Sequence, residues 1–142
     1  MYNRIENTLL IAWLTSLTAM LGSLYFSVIR QYEPCTLCWY QRMLMYPLVI
    51  ILLIGILKKD ASVALYSLVF SIIGLLLSSY HYANQKLSIF AEVAPSCGRV
   101  PCTGQYINWL GFITIPFLAF TAFLIIAILS YITLRMTKER KE

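Results

Sequence analysis

Four long apolar stretches, charged in only one place, constrain this chain more than anything else in it. They run from Thr8 to Ile29, Trp39 to Leu57, Ala61 to Tyr82 and Trp109 to Leu134, and the single charge inside them is Arg42. Each holds about the 20 residues needed to cross ~30 Å of hydrocarbon at a helical rise of 1.5 Å per residue. Backbone in lipid must satisfy its own hydrogen bonds, so such runs are helical. The expectation is an all-α membrane protein, one domain over residues 1–142, with spans at about 8–29, 39–57, 61–82 and 109–134. Composition agrees: 12% of residues are charged, about half the share of a soluble domain. That is too little to build a water-facing surface. The first run is longer than a signal-peptide core and lacks a small-residue cleavage site, so it reads as a retained span.

The net charge of +5 could suggest a nucleic-acid ligand, but its distribution follows membrane topology instead. Arg4, Lys58, Lys59, Arg135, Lys138, Arg140 and Lys141 fall on one side of the four spans. Arg30, Arg42, Lys86 and Arg99 fall on the other. The richer side is the cytoplasmic one by the positive-inside rule. Both termini and the Lys58–Asp60 turn are therefore expected in the cytoplasm, and the loops at about 30–38 and 83–108 outside. The basic segment 135–141 reads as a topology anchor, with no nucleic-acid partner. Trp39, Tyr40, Tyr80, Tyr82, Tyr106 and Trp109 suit an outer aromatic belt, and Lys86–Ala94 suits a short interfacial helix.

All four cysteines lie on the outer side, where disulfides persist. Cys35 and Cys38 form a C-x-x-C, the spacing of a redox dithiol, immediately before the second span. Cys97 and Cys102 close a short loop containing Gly98 and Pro101. Such a bridge would be open to a partner's thiolate. Two stabilising bridges, or a zinc site, are the alternatives. A four-helix membrane bundle has little need of staples, and short loops gain little from them. Two spans separate Cys38 from Cys97, unlike the spacing of common zinc modules. Near a helix N-terminus Cys38 is favoured as thiolate, and Arg42, four residues on, shares its helix face. An arginine inside a span is costly unless paired or interfacial; it either snorkels outward or serves Cys38. His81, the sole histidine, ends the third span on the same side and is either an interfacial polar residue or part of the site.

These features together resemble the DsbB family of membrane thiol oxidases. The resemblance rests on Pro34-Cys35-x-x-Cys38-x-Tyr40-x-Arg42, His81 ending the third span, a second outward cysteine pair, and Leu110-Gly111 followed by Pro116. The C-x4-C spacing of the second pair is similar to the BdbC branch of Gram-positive bacteria. The vitamin K epoxide reductase family places its C-x-x-C at the last helix instead. The resemblance implies a cell-membrane enzyme that oxidises an extracytoplasmic thioredoxin-fold partner of the DsbA or BdbD type. Electrons would pass from Cys97/Cys102 to Cys35/Cys38 and on to a quinone, menaquinone in preference to ubiquinone. Arg42 and His81 would bind and polarise that quinone. Gln41 stands where some relatives carry an acid, removing a charge beside Arg42. A non-enzymatic scaffold with structural disulfides, or the same relay run reductively, would use the same residues.

Overall fold

Hydrocarbon-length apolar runs should emerge as helices lying side by side, and they do. The computed structural model describes residues 2–29, 31, 36–86 and 115–142. Within them lie α1 (Tyr2–Val28), α2 (Thr36–Lys58), α3 (Val63–Lys86) and α4 (Ile115–Lys141). All four are long and apolar enough to cross a membrane, and there is no strand among the described residues. The segment 87–94, expected to lie in the interface, is outside the described residues.

All four helices outrun the apolar stretches that predict them at one end or both, α1 and α4 furthest. α1 begins six residues before Thr8, carrying Arg4 and Glu6, and α4 continues past Leu134 to Lys141. Charge ends a hydrophobic run without ending a helix, because Lys, Arg and Glu are good helix formers. Lys138, Arg140 and Lys141 occupy the last turn of α4, where cations complement the helix dipole. The basic segment is thus the end of the fourth helix rather than a tail beyond it.

Each helix packs on its two neighbours in the order α1, α2, α3, α4 and back to α1. One end of the bundle gathers Ile5, Gly55, Ala61 and Thr137 around a small pocket. The other brings the end of α1 to the start of α2, through Ser27 and Arg42. There too the end of α3 meets the start of α4, where the rings of Tyr82 and Phe117 lie 6.0 Å apart. The helices therefore run up, down, up, down. Leu48, Leu52, Phe123 and Ile126 are fully buried at the centre. Outward-facing Met43, Leu57 and Leu76 are each more than 60% exposed, an apolar exterior suited to lipid.

The α2–α3 turn is locally determined. Lys59 adopts a left-handed conformation, φ 56°, and the Asp60 N–H donates back to the Gly55 carbonyl at 2.9 Å. With Lys59 N–H donating to Ile56 O, this is a Schellman ending. Asp60 then opens α3: its Oδ1 accepts from the Ser62 N–H at 2.9 Å. That backbone hydrogen bond, followed by one from the Ser62 side chain, holds the Asp60 carboxyl below its ordinary pKa.

On α3 the residues Ala64, Ser67, Ser71, Gly74, Ser78 and His81 are all buried, spaced alternately by three and four. That is the seam of a close helix pair built from small residues. A Cβ on Gly74 would collide with the ring of Phe123 on α4. Ser67 and Ser130 hydrogen-bond across the same seam at 2.8 Å.

Candidate active site

α2 starts at Thr36, so Cys38 lies in its first turn and Arg42 one turn further in. The predicted common face exists. Both side chains line a half-enclosed cavity of about 590 Å³ bounded by α1, α2 and α4. Gln41, Met45 and Tyr46 complete the α2 wall, while Leu118 and Ala122 stand on α4.

Arg42 is half-buried and is tied to α1. Its Nη2 donates to the Ser23 carbonyl at 3.0 Å and to the Ser27 hydroxyl, both on α1. The guanidinium also lies 5.5 Å from the centre of the Trp39 ring, within cation–π range. These contacts meet the requirement that an intramembrane arginine be paired and hold the charge at the cavity wall. Among the described residues no carboxylate lines the cavity. Its one formal charge is therefore positive.

Beside Arg42, Gln41 turns toward α3. Its Nε2 lies 3.1 Å from His81 Nδ1, with Gln41 5% and His81 1% exposed. His81 is buried between the helices near the end of α3. It is not among the cavity-lining residues; Gln41 stands there with its amide bonded to His81.

The rest of the cavity is more apolar than its residue names suggest. Thr15, Thr18 and Thr121 line it, yet each hydroxyl donates to the carbonyl four residues back, at 2.8–3.0 Å. The hydroxyls are consumed by their own helices. What results is a greasy chamber with its polarity concentrated where Cys38, Gln41, Arg42, Ser23 and Ser27 meet.

Of the residues singled out in the sequence, Cys38 and Arg42 come together and His81 stands behind Gln41. Cys35, Cys97 and Cys102 lie outside the described residues. Sequence reasoning missed the Gln41–His81 link and the two α1 serines. Gln41 carries a usable signal: positions 38, 41, 42 and 45 fall on one helical face.

The family model described as disulfide bond formation protein DsbB matches residues 5–133. Probable disulfide formation protein C of Halalkalibacterium halodurans is 68% identical over 135 residues, spanning 95% of this chain and 98% of the relative. The corresponding protein of Bacillus cereus is 55% identical over 130 residues, 92% and 94% of the two chains. Disulfide bond formation protein C of Bacillus subtilis is 56% identical over 117 residues, 82% and 85% of the two.

Proposed function

The chain belongs to the DsbB family, on its disulfide formation protein C branch, and from that premise we propose which acceptor, partner and residues serve it. It is a multi-pass membrane oxidoreductase of disulfide bond formation. The proposed acceptor is a quinone, menaquinone in preference to ubiquinone, and the proposed partner a thioredoxin-fold thiol oxidase outside the cell membrane. Residues 1–142 act as one four-helix domain with the termini in the cytoplasm and the cysteines on the outer face. The observation that carries this reading is that Cys38 and Arg42 line one wall of an apolar cavity between helices long and apolar enough to cross a membrane. A disulfide staple would need no such chamber.

The fit to a quinone is chemical. A lipid-soluble ring with polar carbonyls needs apolar walls and a hydrogen-bond donor at one end, and the cavity has both. A bound quinone supplies a two-electron, two-proton acceptor that leaves as quinol.

The chain's own residues do the rest. A partner thiolate attacks the Cys97–Cys102 disulfide at Cys97 and releases Cys102 as thiolate. Cys102 attacks the Cys35–Cys38 disulfide at Cys35, releasing Cys38. The partner's second thiolate then attacks the mixed disulfide, so that the partner leaves oxidised and Cys97 is freed as thiolate; Cys97 attacks Cys102 and displaces Cys35, restoring Cys97–Cys102. Each step exchanges one disulfide for another, as thiolate chemistry requires. The dithiol Cys35/Cys38 then holds the electron pair. Arg42 holds positive charge beside Cys38, Ser23 and Ser27 orient the guanidinium, and His81 acts through the amide of Gln41.

The test is oxidation of a reduced thioredoxin-fold partner by the purified protein with added menaquinone. The expected result is one quinol formed per partner disulfide, with Cys97→Ser blocking the partner's oxidation. Partner oxidation at the normal rate in Cys97→Ser would overturn the relay order, and absence of quinol would overturn the acceptor.

A further inference from the structure

A glycine inside a helix costs about 1 kcal/mol relative to alanine, so each helical glycine of a membrane bundle calls for a reason. Close approach of helices is the usual one. Gly55 and Gly74 follow it, since a Cβ on the first would collide with Val63 and on the second with Phe123. Gly22 on α1 does not. A Cβ built there meets no heavy atom within 4 Å. The space beside it is the cavity, which Gly22 lines.

Its level in the cavity is also informative. The neighbouring Ser23 carbonyl receives the Arg42 guanidinium, so Gly22 stands beside the polar end. Ala19 on α1 and Ala119 and Ala122 on α4 are small lining residues of the same cavity, whose other apolar walls are larger side chains such as Leu14, Met45 and Ile125. A helix surface without a side chain is flat enough for a ring to lie against the backbone.

We propose that Gly22 is a specificity-determining residue of the quinone site, its bare backbone forming the wall on which a flat, fused two-ring quinone lies. The proposal rests on the quinone reading above and deepens it. A carbonyl of such a ring system reaches Arg42 while the ring body covers Gly22. A side chain at position 22 would lift the fused ring off the wall, whereas a single ring held at the Arg42 end loses less. The chemistry selected is the naphthoquinone class over the benzoquinone class.

The experiment measures KM for a naphthoquinone and a benzoquinone with matched short tails, using the full chain in detergent with its reduced partner. Wild type, Gly22→Ala, Gly22→Leu and Arg42→Ala are compared, together with their melting temperatures. Gly22→Leu is expected to raise the ratio of naphthoquinone to benzoquinone KM about tenfold, and Gly22→Ala less, the scale on which apolar pockets discriminate. Neither melting temperature should fall, since no packing contact is disturbed. An unchanged ratio in Gly22→Leu, with Arg42→Ala impaired toward both quinones, overturns the role of Gly22 and leaves the site intact. A lower melting temperature in Gly22→Ala with parallel losses for both quinones makes Gly22 a packing residue and also overturns it. Indifference of both quinones to both Gly22→Leu and Arg42→Ala overturns the cavity itself as the quinone site.

Discussion

The two sides of α4 are built in opposite ways. Toward α3 it forms a dense seam, where Gly74 accepts the Phe123 ring and Ser67 bonds Ser130. Toward α1 it leaves a cavity of about 590 Å³. Lipid tails are as apolar as leucine, so membrane helices associate through close packing and buried polar contacts rather than through the hydrophobic effect. The α3–α4 seam supplies both. The α1–α4 side can then remain open, and the groups with redox and electrostatic potential gather there. On the proposed reading, stability and chemistry are divided between two faces of one helix, with the Phe123 ring shared by both.

Substitutions on the two faces should therefore read out differently, and the largest effect is expected on the open side. Arg42→Ala should lower kcat/KM for quinone about 100-fold, the scale of removing a preorganised charge from a dry site, with partner binding unchanged. An unaltered apparent quinone affinity and rate would remove the function assigned to Arg42. On the closed side, Gly74→Leu should overpack the seam and cost about 1–3 kcal/mol. This would appear as a lower melting temperature in detergent, and because the displaced Phe123 ring also lines the cavity, any rise in quinone KM should come with that fall. If Gly74→Leu instead shifted KM without a change in melting, the division between faces would fail.

How much of this could be read from residues alone follows the same division. The four helices were legible because apolar length is a local property, although their charged ends were not, since hydropathy stops at Glu6 or Arg135 while helix propensity continues. Cys38 and Arg42 were legible because four residues of helix place them on one face. The Gln41–His81 contact was not: forty positions separate the two, and only the packing of α2 on α3 brings them together. Gly22 and Gly74 look alike in sequence, and only the neighbours that packing supplies distinguish a glycine that closes a seam from one that opens a wall. Cys35, Cys97 and Cys102 rest on spacing and family resemblance.

Smaller effects sharpen the comparison. Ser67→Ala should cost about 0.6 kcal/mol, the average for a hydrogen bond between membrane helices, visible as a slight fall in melting temperature with activity retained. A loss of quinone reduction in Ser67→Ala would tie the seam to the chemistry and blur the two faces. The smallest effect lies in the α2–α3 turn. The Asp60 carboxyl is held below its ordinary pKa by hydrogen bonds from Ser62. Its contribution to stability is thus present above the unfolded-state value and lost as pH falls through the folded one. Asp60→Asn should therefore lose less stability than wild type on acidification into that range. Parallel melting curves against pH for the two proteins would show that the turn does not depend on this charge.

The most direct test of the central claim is a single-turnover experiment on the reduced protein alone. Protein with Cys35 and Cys38 reduced is mixed with menaquinone in a stopped flow, without partner, and quinone absorbance is followed. One quinol per protein should form, slowed about 100-fold by Arg42→Ala and abolished by Cys38→Ala. Quinol formation at the wild-type rate in Cys38→Ala, or none in the wild type, would contradict the assignment of Cys38 and its cavity as the place where electrons leave the protein.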